Sequence, residues 1–330
     1  MTVYIDNHKP LVAGTFEADP VDSVHSPKYG NFSNHGVKIR IPIADLDEKN
    51  KNIGSSGFKK AAVSINCTYE DGQTKKINYN SDKIEISGND IILTIPDDVV
   101  GEDHAAEMTI TASVTDNVGN VSEAVAVQKN KHDLVIDKIK PVFENYSITS
   151  ADGSENFYKT EVDGKTWVNG DAAVSYDISD PNSGLAKIEI AGGKEDKTNE
   201  YTADADITKS GTYTSETDPN KDGEFNFEFK AVDNAGNDAR ETPSIYKDNK
   251  RPEITGFSFK QADNVDKNGM ADGSNKEKYR HFYNDENGVE MTVTAEDPES
   301  SSGIRYICVE LYNPDGSVFD SKKFEFGESK

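Results

Sequence analysis

Aspartate is the residue through which this chain can do chemistry, and it recurs at fixed places. Asp218-Pro-Asn220-Lys-Asp222-Gly223 reproduces the opening half of a calcium loop, Asp-x-Asn-x-Asp-Gly. In such a loop alternating side-chain oxygens converge on one hard cation, and the glycine allows the sharp turn. The place of the closing bidentate glutamate is taken by Phe229, inside an apolar run. The motif therefore reads either as a plain turn before a strand or as a partial loop closed by other residues. Asp263, Asp266 and Asn268 form a weaker polar set. Three other aspartates, Asp6, Asp137 and Asp248, share one spacing: each is followed by three residues and a proline, Pro10, Pro141 and Pro252. Asp45, Asp180 and Asp297 each close an alternating apolar run. Asp116 and Asp233 each open the sequence Asp-Asn-x-Gly-Asn.

Other chemistries are poorly supplied. The six histidines (8, 25, 35, 104, 132 and 281) are scattered, without metal-ligand spacing. No Gly-x-Ser-x-Gly, phosphate-binding Gly-rich loop or Cys-x-x-Cys occurs. With 60 acidic residues, a pair of carboxylates at glycosidase spacing would arise by chance and identifies nothing. The expectation is that the chain is not an enzyme. Cys67 and Cys308 fall at non-equivalent positions and are expected to be free thiols.

The elements that must position the aspartates repeat along the chain. Val37, Ile39, Ile41 and Ile43 alternate before Asp45. Ala172, Val174, Tyr176 and Ile178 do so before Asp180, and Val289, Met291, Val293 and Ala295 before Asp297. Alternation with period two means a strand with one buried face. A glycine (Gly36, Gly170, Gly288) precedes each run. Next comes a loop ending in Ser-Gly, at Gly57, Gly184 and Gly303, followed by apolar residues at common offsets: Phe58, Ala61 and Val63; Leu185, Ile188 and Ile190; Ile304, Ile307 and Val309. A last run appears twice, Met108–Val114 before Asp116 and Phe225–Ala231 before Asp233. Asp and Asn start tight turns and Gly supplies positive φ, so a hairpin joining the last two strands is expected there. Helical signals are nearly absent; residues 96–107 could hold one short turn. Proline-to-proline spacings of 131 and then 111 residues give repeats at 1–137, 138–248 and 249–330. The first carries extra hairpin material around 55–100, and the third lacks the last strands.

Together the Asp-x-x-Ser-Gly loop (Asp180 to Gly184), the Asp-x-x-Gly-Asn hairpin (Asp233 to Asn237) and the Asp-x-x-x-Pro linker (Asp248 to Pro252) resemble the bacterial immunoglobulin-like repeats of Gram-positive surface proteins and adhesins. That resemblance implies an all-β chain of tandem immunoglobulin-like β-sandwiches in an elongated array. It also implies that the start of the first strand, the loop after the second and the last hairpin share one end of each sandwich. Asp137, Asp180 and Asp233 would then meet between repeats one and two. Asp6, Asp45, Asp47 and Asp116 would meet at the head of repeat one, and Asp248 with Asp297 between repeats two and three. Calcium, which takes six to eight oxygens, is the cofactor such clusters would hold. The other reading is that each aspartate hydrogen-bonds its own turn.

Charge narrows the partners. A formal net charge of -24 repels nucleic acid and anionic membrane. No run of 18 apolar residues exists, so membrane insertion is not expected. The opening Met-Thr-Val-Tyr-Ile-Asp carries no secretion-signal pattern. What the resemblance implies is a monomeric, extracellular stalk or adhesin array on a bacterial surface. The alternatives are a module that binds a host surface protein or glycan (mucin, matrix protein or immunoglobulin), and an accessory module of a secreted carbohydrate-active enzyme. The aromatic pairs Phe157-Tyr158 and Tyr279–Tyr283 match Tyr29 and Phe32 before the second strand, which points to structure rather than sugar stacking.

Overall fold

The computed structural model describes residues 3, 5–20, 31–45, 55–128, 133–201, 208–261, 289–298, 301–313 and 315–326. Among these the regular elements are strands and a single 3-10 turn at Asp97–Val99. The expected all-β class is therefore found. No helix among the described residues is long and apolar enough to cross a membrane. The chain divides into two compact units, residues 1–148, 173–216 and 226–243, and residues 149–172, 217–225 and 244–330.

In the first unit, residues 1–137 build two facing sheets. One contains β1 (Leu11–Val12), β2 (Glu17–Pro20), β4 (Val37–Ala44), β7 (Ile84–Ser87) and β8 (Asp90–Ile95), in the order β1-β4-β8-β7 with β2 also on β4. The other contains β3 (Phe32–Ser33), β5 (Phe58–Tyr69), β6 (Thr74–Tyr79), β9 (Ala105–Asp116), β10 (Val125–Val127) and β11 (Leu134–Asp137). Its order is β3-β11-β9-β5-β6, with β10 on β9. The alternation read from the sequence sets the buried faces: Val37, Ile39, Ile41 and Ile43 of β4 lie in one core with Ile65 and Cys67 of β5, Ile91 and Leu93 of β8, and Met108 and Ile110 of β9. Each such side chain contributes about 1.5–3 kcal/mol on leaving water. Gly36 must be glycine, because a Cβ would stand 2.7 Å from both Asp97 N and Ile95 O.

The hairpin expectation needs one change. Asp116–Asn120 joins β9 to β10, but β10 is not the final strand. β10 and β11 lie in series along the edge of β9 away from β5: Val125–Val127 pair with Ala112–Ile110, and Leu134–Asp137 with Met108–Ala105. One strand expected from the pattern is thus broken into two. The extra material of this region is β7, which pairs with β8 and has no counterpart among the described residues downstream.

The first unit also holds strands of the second repeat. β12 (Val142–Ser150), β15 (Ala172–Ser179) and β18 (Ser210–Glu216) form one sheet, in the order β12-β15-β18. β16 (Leu185–Ala191), β17 (Lys197–Glu200), β20 (Glu228–Asp233) and β21 (Asp238–Glu241) form another, in the order β17-β16-β20-β21. Tyr176 packs edge-on to Phe229 at 5.2 Å between ring centroids. Phe229 is fully buried, as the apolar alternation requires.

The second unit contains β13 (Lys159–Val162), β14 (Lys165–Val168), β19 (Gly223–Asn226) and β22 (Ser244–Lys247), ordered β13-β14-β22-β19. Trp167 is buried against Tyr246 with centroids 5.1 Å apart, a core position. Two further hairpin sheets follow: β23 (Glu253–Gln261) with β24 (Val289–Glu296), and β25 (Tyr306–Tyr312) with β26 (Val318–Glu325). Ile254, Phe257, Tyr312 and Phe319 stay more than half exposed there. Cys67 is buried and Cys308 exposed, and both are free.

Candidate cation site

Two aspartate trios form in the first unit, each from three segments distant in sequence. Asp137, Asp180 and Asp233 offer carboxylate oxygens that all lie within 4.8 Å of one another, and all three residues are buried. Asp6, Asp45 and Asp116 form the equivalent trio, with Asp6 half-buried.

Local sequence explains how each side chain is held. Asp137 ends β11, and its Oδ1 accepts the amide of Ile139 two residues on. Its Oδ2 accepts the amide of Ser183, in the Ser-Gly loop after β15. Asp180 opens that loop, and its Oδ1 accepts the amides of Asn182 and Gly184. Asp233 ends β20, with Oδ1 accepting the amides of Gly236 and Asn237 and Oδ2 accepting the Asn237 side-chain amide. Gly236 has φ 100°, a conformation that glycine adopts without strain.

The first trio repeats these bonds. Asp6 accepts from His8 N and Ser56 N, Asp45 from Gly57 N, and Asp116 from Gly119 N, Asn120 N and Asn120 Nδ2. The hydrogen bonds that the turn reading calls for are therefore present. They extend past each aspartate's own turn, because the linker aspartate always reaches the serine before the Ser-Gly glycine.

One oxygen in each trio is left over. Asp180 Oδ2 and its equivalent Asp45 Oδ1 are buried without a hydrogen-bond partner. An orphaned buried carboxylate oxygen is costly. No lysine or arginine among the described residues forms a salt bridge to Asp137, Asp180 or Asp233. Burial, then the charge of Asp137, pushes Asp180 up to about 6. Burial, then the charge of Asp180, pushes Asp233 up to about 8. Asp137 is also raised, chiefly by burial. In the other trio burial and the charges of Asp6 and Asp116 raise Asp45. For Asp6 burial acts upward, but the amides of His8 and Ser56 outweigh it and hold the carboxyl below its usual value.

The remaining sequence candidates are placed differently. Asp248 Oδ1 accepts Lys250 N, and Oδ2 accepts both Ser302 N and Ser302 Oγ, the same linker-to-serine bond a third time. Asp297 Oδ1 has no partner, but Asp248 and Asp297 belong to no trio among the described residues. Asp218 Oδ1 accepts both amides of Asn220, and its Oδ2 lies 3.4 Å from Lys221 Nζ. The carbonyls of Asp218 and Pro219 accept from Lys247 Nζ. Asp222 joins no trio either. Asp47, Asp263, Asp266, Asn268, Tyr29 and Tyr279–Tyr283 lie outside the described residues.

Sequence reading missed the residues that clamp the loops together. Asn237 Nδ2 donates to the carbonyls of Asp137 and Ile139, and Asn234 Nδ2 to the carbonyl of Ser183. Asn120 and Asn117 repeat this toward Asp6 O and Ser56 O. The signal was visible, since both asparagines recur in Asp-Asn-x-Gly-Asn, but their partners lie up to 114 residues away.

Residues 141–248 match the family model described as bacterial Ig-like domain. Among curated proteins no sequence matches. Of solved structures, a 1.5-MDa bacterial ice-binding adhesin is similar at 13% identity over 77% of this chain and 69% of that one, with TM-score 0.29. A tetra-tandem repeat from the extending region of a large adhesion protein is similar at 11% identity over 96% and 75%, with TM-score 0.23. Latent PorU from Porphyromonas gingivalis is similar at 13% identity over 94% of this chain and 29% of that one, with TM-score 0.23.

Proposed function

We propose that this chain is a non-catalytic extracellular spacer of a bacterial surface protein, made of immunoglobulin-like repeats whose end loops are locked by calcium. The observation that carries the reading is Asp180 Oδ2, buried and unpartnered among three carboxylates within 4.8 Å. Ionised pairs at that distance repel by about 3 kcal/mol each at an effective dielectric near 20. A divalent cation reverses that sign. Every side chain on offer is a hard oxygen donor, carboxylate or serine hydroxyl, which suits calcium over softer ions.

Binding here ties the linker after β11 to the loop after β15 and the hairpin after β20. Those three segments are the hinge elements of the joint between the first two repeats. With calcium the joint is stiff. Without it, charge repulsion favours its opening. A spacer of this kind projects whatever it carries without chemistry of its own.

Thermal unfolding of the full chain tests this, once in millimolar calcium and once in chelator. The expected result is a higher midpoint with calcium, and in Asp180→Asn loss of the part of that increment owed to the Asp137, Asp180 and Asp233 trio, the Asp6, Asp45 and Asp116 trio keeping its own. Equal midpoints in calcium and chelator would return the aspartates to turn duty alone.

A further inference from the structure

We propose that Lys247 and Asp171 condense to an intramolecular amide, a covalent cross-link between the end of β22 and the residue that precedes β15. Every group involved belongs to the second unit, and none of them belongs to an aspartate trio.

The position of Lys247 is the first observation. It stands immediately before the linker aspartate Asp248, as Ile136 stands before Asp137. Both side chains are buried at 0% exposure. The fold asks for an apolar residue there, and the second repeat supplies an amine. Asp171 stands nine residues before Asp180, and Gly36 stands nine residues before Asp45. The first repeat therefore has neither partner, and the second has both. A buried ion pair is a poor stabiliser, because apolar residues of similar volume do as well or better. An amine and a carboxyl kept together at an apolar position point to a use other than packing.

The geometry is the second observation. β22 pairs parallel with β14, with Val168 opposite Lys247, in a sheet whose Trp167, Val168, Phe225 and Ile245 are buried. Asp171 is fixed through its neighbour. The Ala172 amide donates to Thr217 Oγ1, the Thr217 amide donates to the Ala172 carbonyl, and both residues are buried. That bridge sets Asp171 beside Asp218 and Pro219, whose carbonyls accept from Lys247 Nζ at 3.1 and 3.2 Å. Lys247 Nζ also lies 2.6 Å from Asp171 Oδ1. Yet that buried oxygen accepts no hydrogen bond, so the two atoms touch without the alignment of a donor and an acceptor. A neutral amine carries two hydrogens and one lone pair. The two carbonyls take the hydrogens, and the lone pair is left to the carboxyl. Reactants held this way need no encounter, which removes the entropic part of the barrier.

The step balances within the pair. One proton passes from the Lys247 ammonium to the Asp171 carboxylate. The Nζ lone pair then attacks Cγ and the Nζ–Cγ bond forms. One Cγ–Oδ bond breaks, and its oxygen leaves as water with its own proton and a second one from Nζ. Nothing is oxidised or reduced, and no co-reactant is consumed. The Asp171 side chain is 34% exposed, which gives the water a way out. The product ties residue 171 to residue 247, so a pull along the chain cannot extend the segment between them.

Mass spectrometry of the full chain, denatured and purified, tests this. The expected mass is one water below that of the sequence. Trypsin is expected not to cut after Lys247 and to release a branched peptide that joins the Asp171 and Lys247 segments. Lys247→Arg and Asp171→Ala are each expected to show their full sequence mass and no branched peptide. The proposal is overturned if the unaltered chain, fresh and after long incubation while folded, has its full sequence mass. It is also overturned if a water is missing but the branched peptide is absent, or if Lys247→Arg loses the same water.

Discussion

Asp180→Asn separates charge from hydrogen bonding at the joint. The amide is isosteric, and its Oδ1 can still accept from Asn182 N and Gly184 N, the two bonds that shape the loop. Its Nδ2 takes the place of the orphaned Oδ2 and can donate to the neighbouring carboxylates. The carboxyl is pushed up to about 6 from the ordinary 3.8, by burial first and then by Asp137. At 1.36 kcal/mol per tenfold proton affinity that gap is about 3 kcal/mol, and relaxation reduces it to about 1–3 kcal/mol. In chelator at pH 8, Asp180→Asn should therefore stabilise the protein by about 1–3 kcal/mol, a gain of several degrees in the midpoint of the transition that involves the joint. In calcium the same substitution should lower the midpoint, because a ligand is lost. Calorimetry at fixed pH with and without calcium reads both. A destabilisation of equal size in both conditions would refute the reasoning, since it would mean that Asp180 contributes shape and no unbalanced charge.

Further predictions follow from the same structure. Acids whose folded pKa is raised bind protons in the folded state that the unfolded state has released, so metal-free stability should fall as pH rises from about 4 through 8. Urea titrations at pH 5 and pH 8 in chelator check this, and a rise with pH would contradict it. Gly192→Ala should cost well over 2 kcal/mol, because Gly192 has φ 86° and a Cβ would stand 1.9 Å from Asn226 O. Gly153→Ala, at φ 74° with nothing within 4 Å, should cost only about 1–2 kcal/mol of backbone strain; denaturant midpoints of the two variants give the comparison. A thiol reagent should modify Cys308 at once and Cys67 only on unfolding, since Cys67 is buried and its thiol is pushed up by that burial.

Much of this molecule could be read from residue spacing because its information is local. The alternation of β4 and of β15 specifies a strand and its buried face without reference to anything distant. Recurrence supplied the rest: three Asp-x-x-x-Pro linkers could be aligned only because they share one bonding pattern, from aspartate to the amide two residues on. The unread parts are long-range. Ser183 and Asn237 act through partners 46 and 100 residues away, and no local pattern encodes a partner at that distance. The break between β10 and β11 was invisible for a similar reason, since both halves carry strand-like residues and only pairing with β9 shows them to be in series. The surroundings of the Asp218 turn were equally out of reach, since Lys247, buried at 0% exposure, donates to the Asp218 and Pro219 carbonyls from 29 and 28 residues away.

Equilibrium dialysis of the full chain against radioactive calcium tests the central claim most directly. The account predicts two ions per chain at millimolar calcium, one ion in Asp180→Asn and one in Asp45→Asn, each substitution emptying its own trio. Binding of no calcium by the unaltered chain, or an unchanged count in both variants, would contradict it.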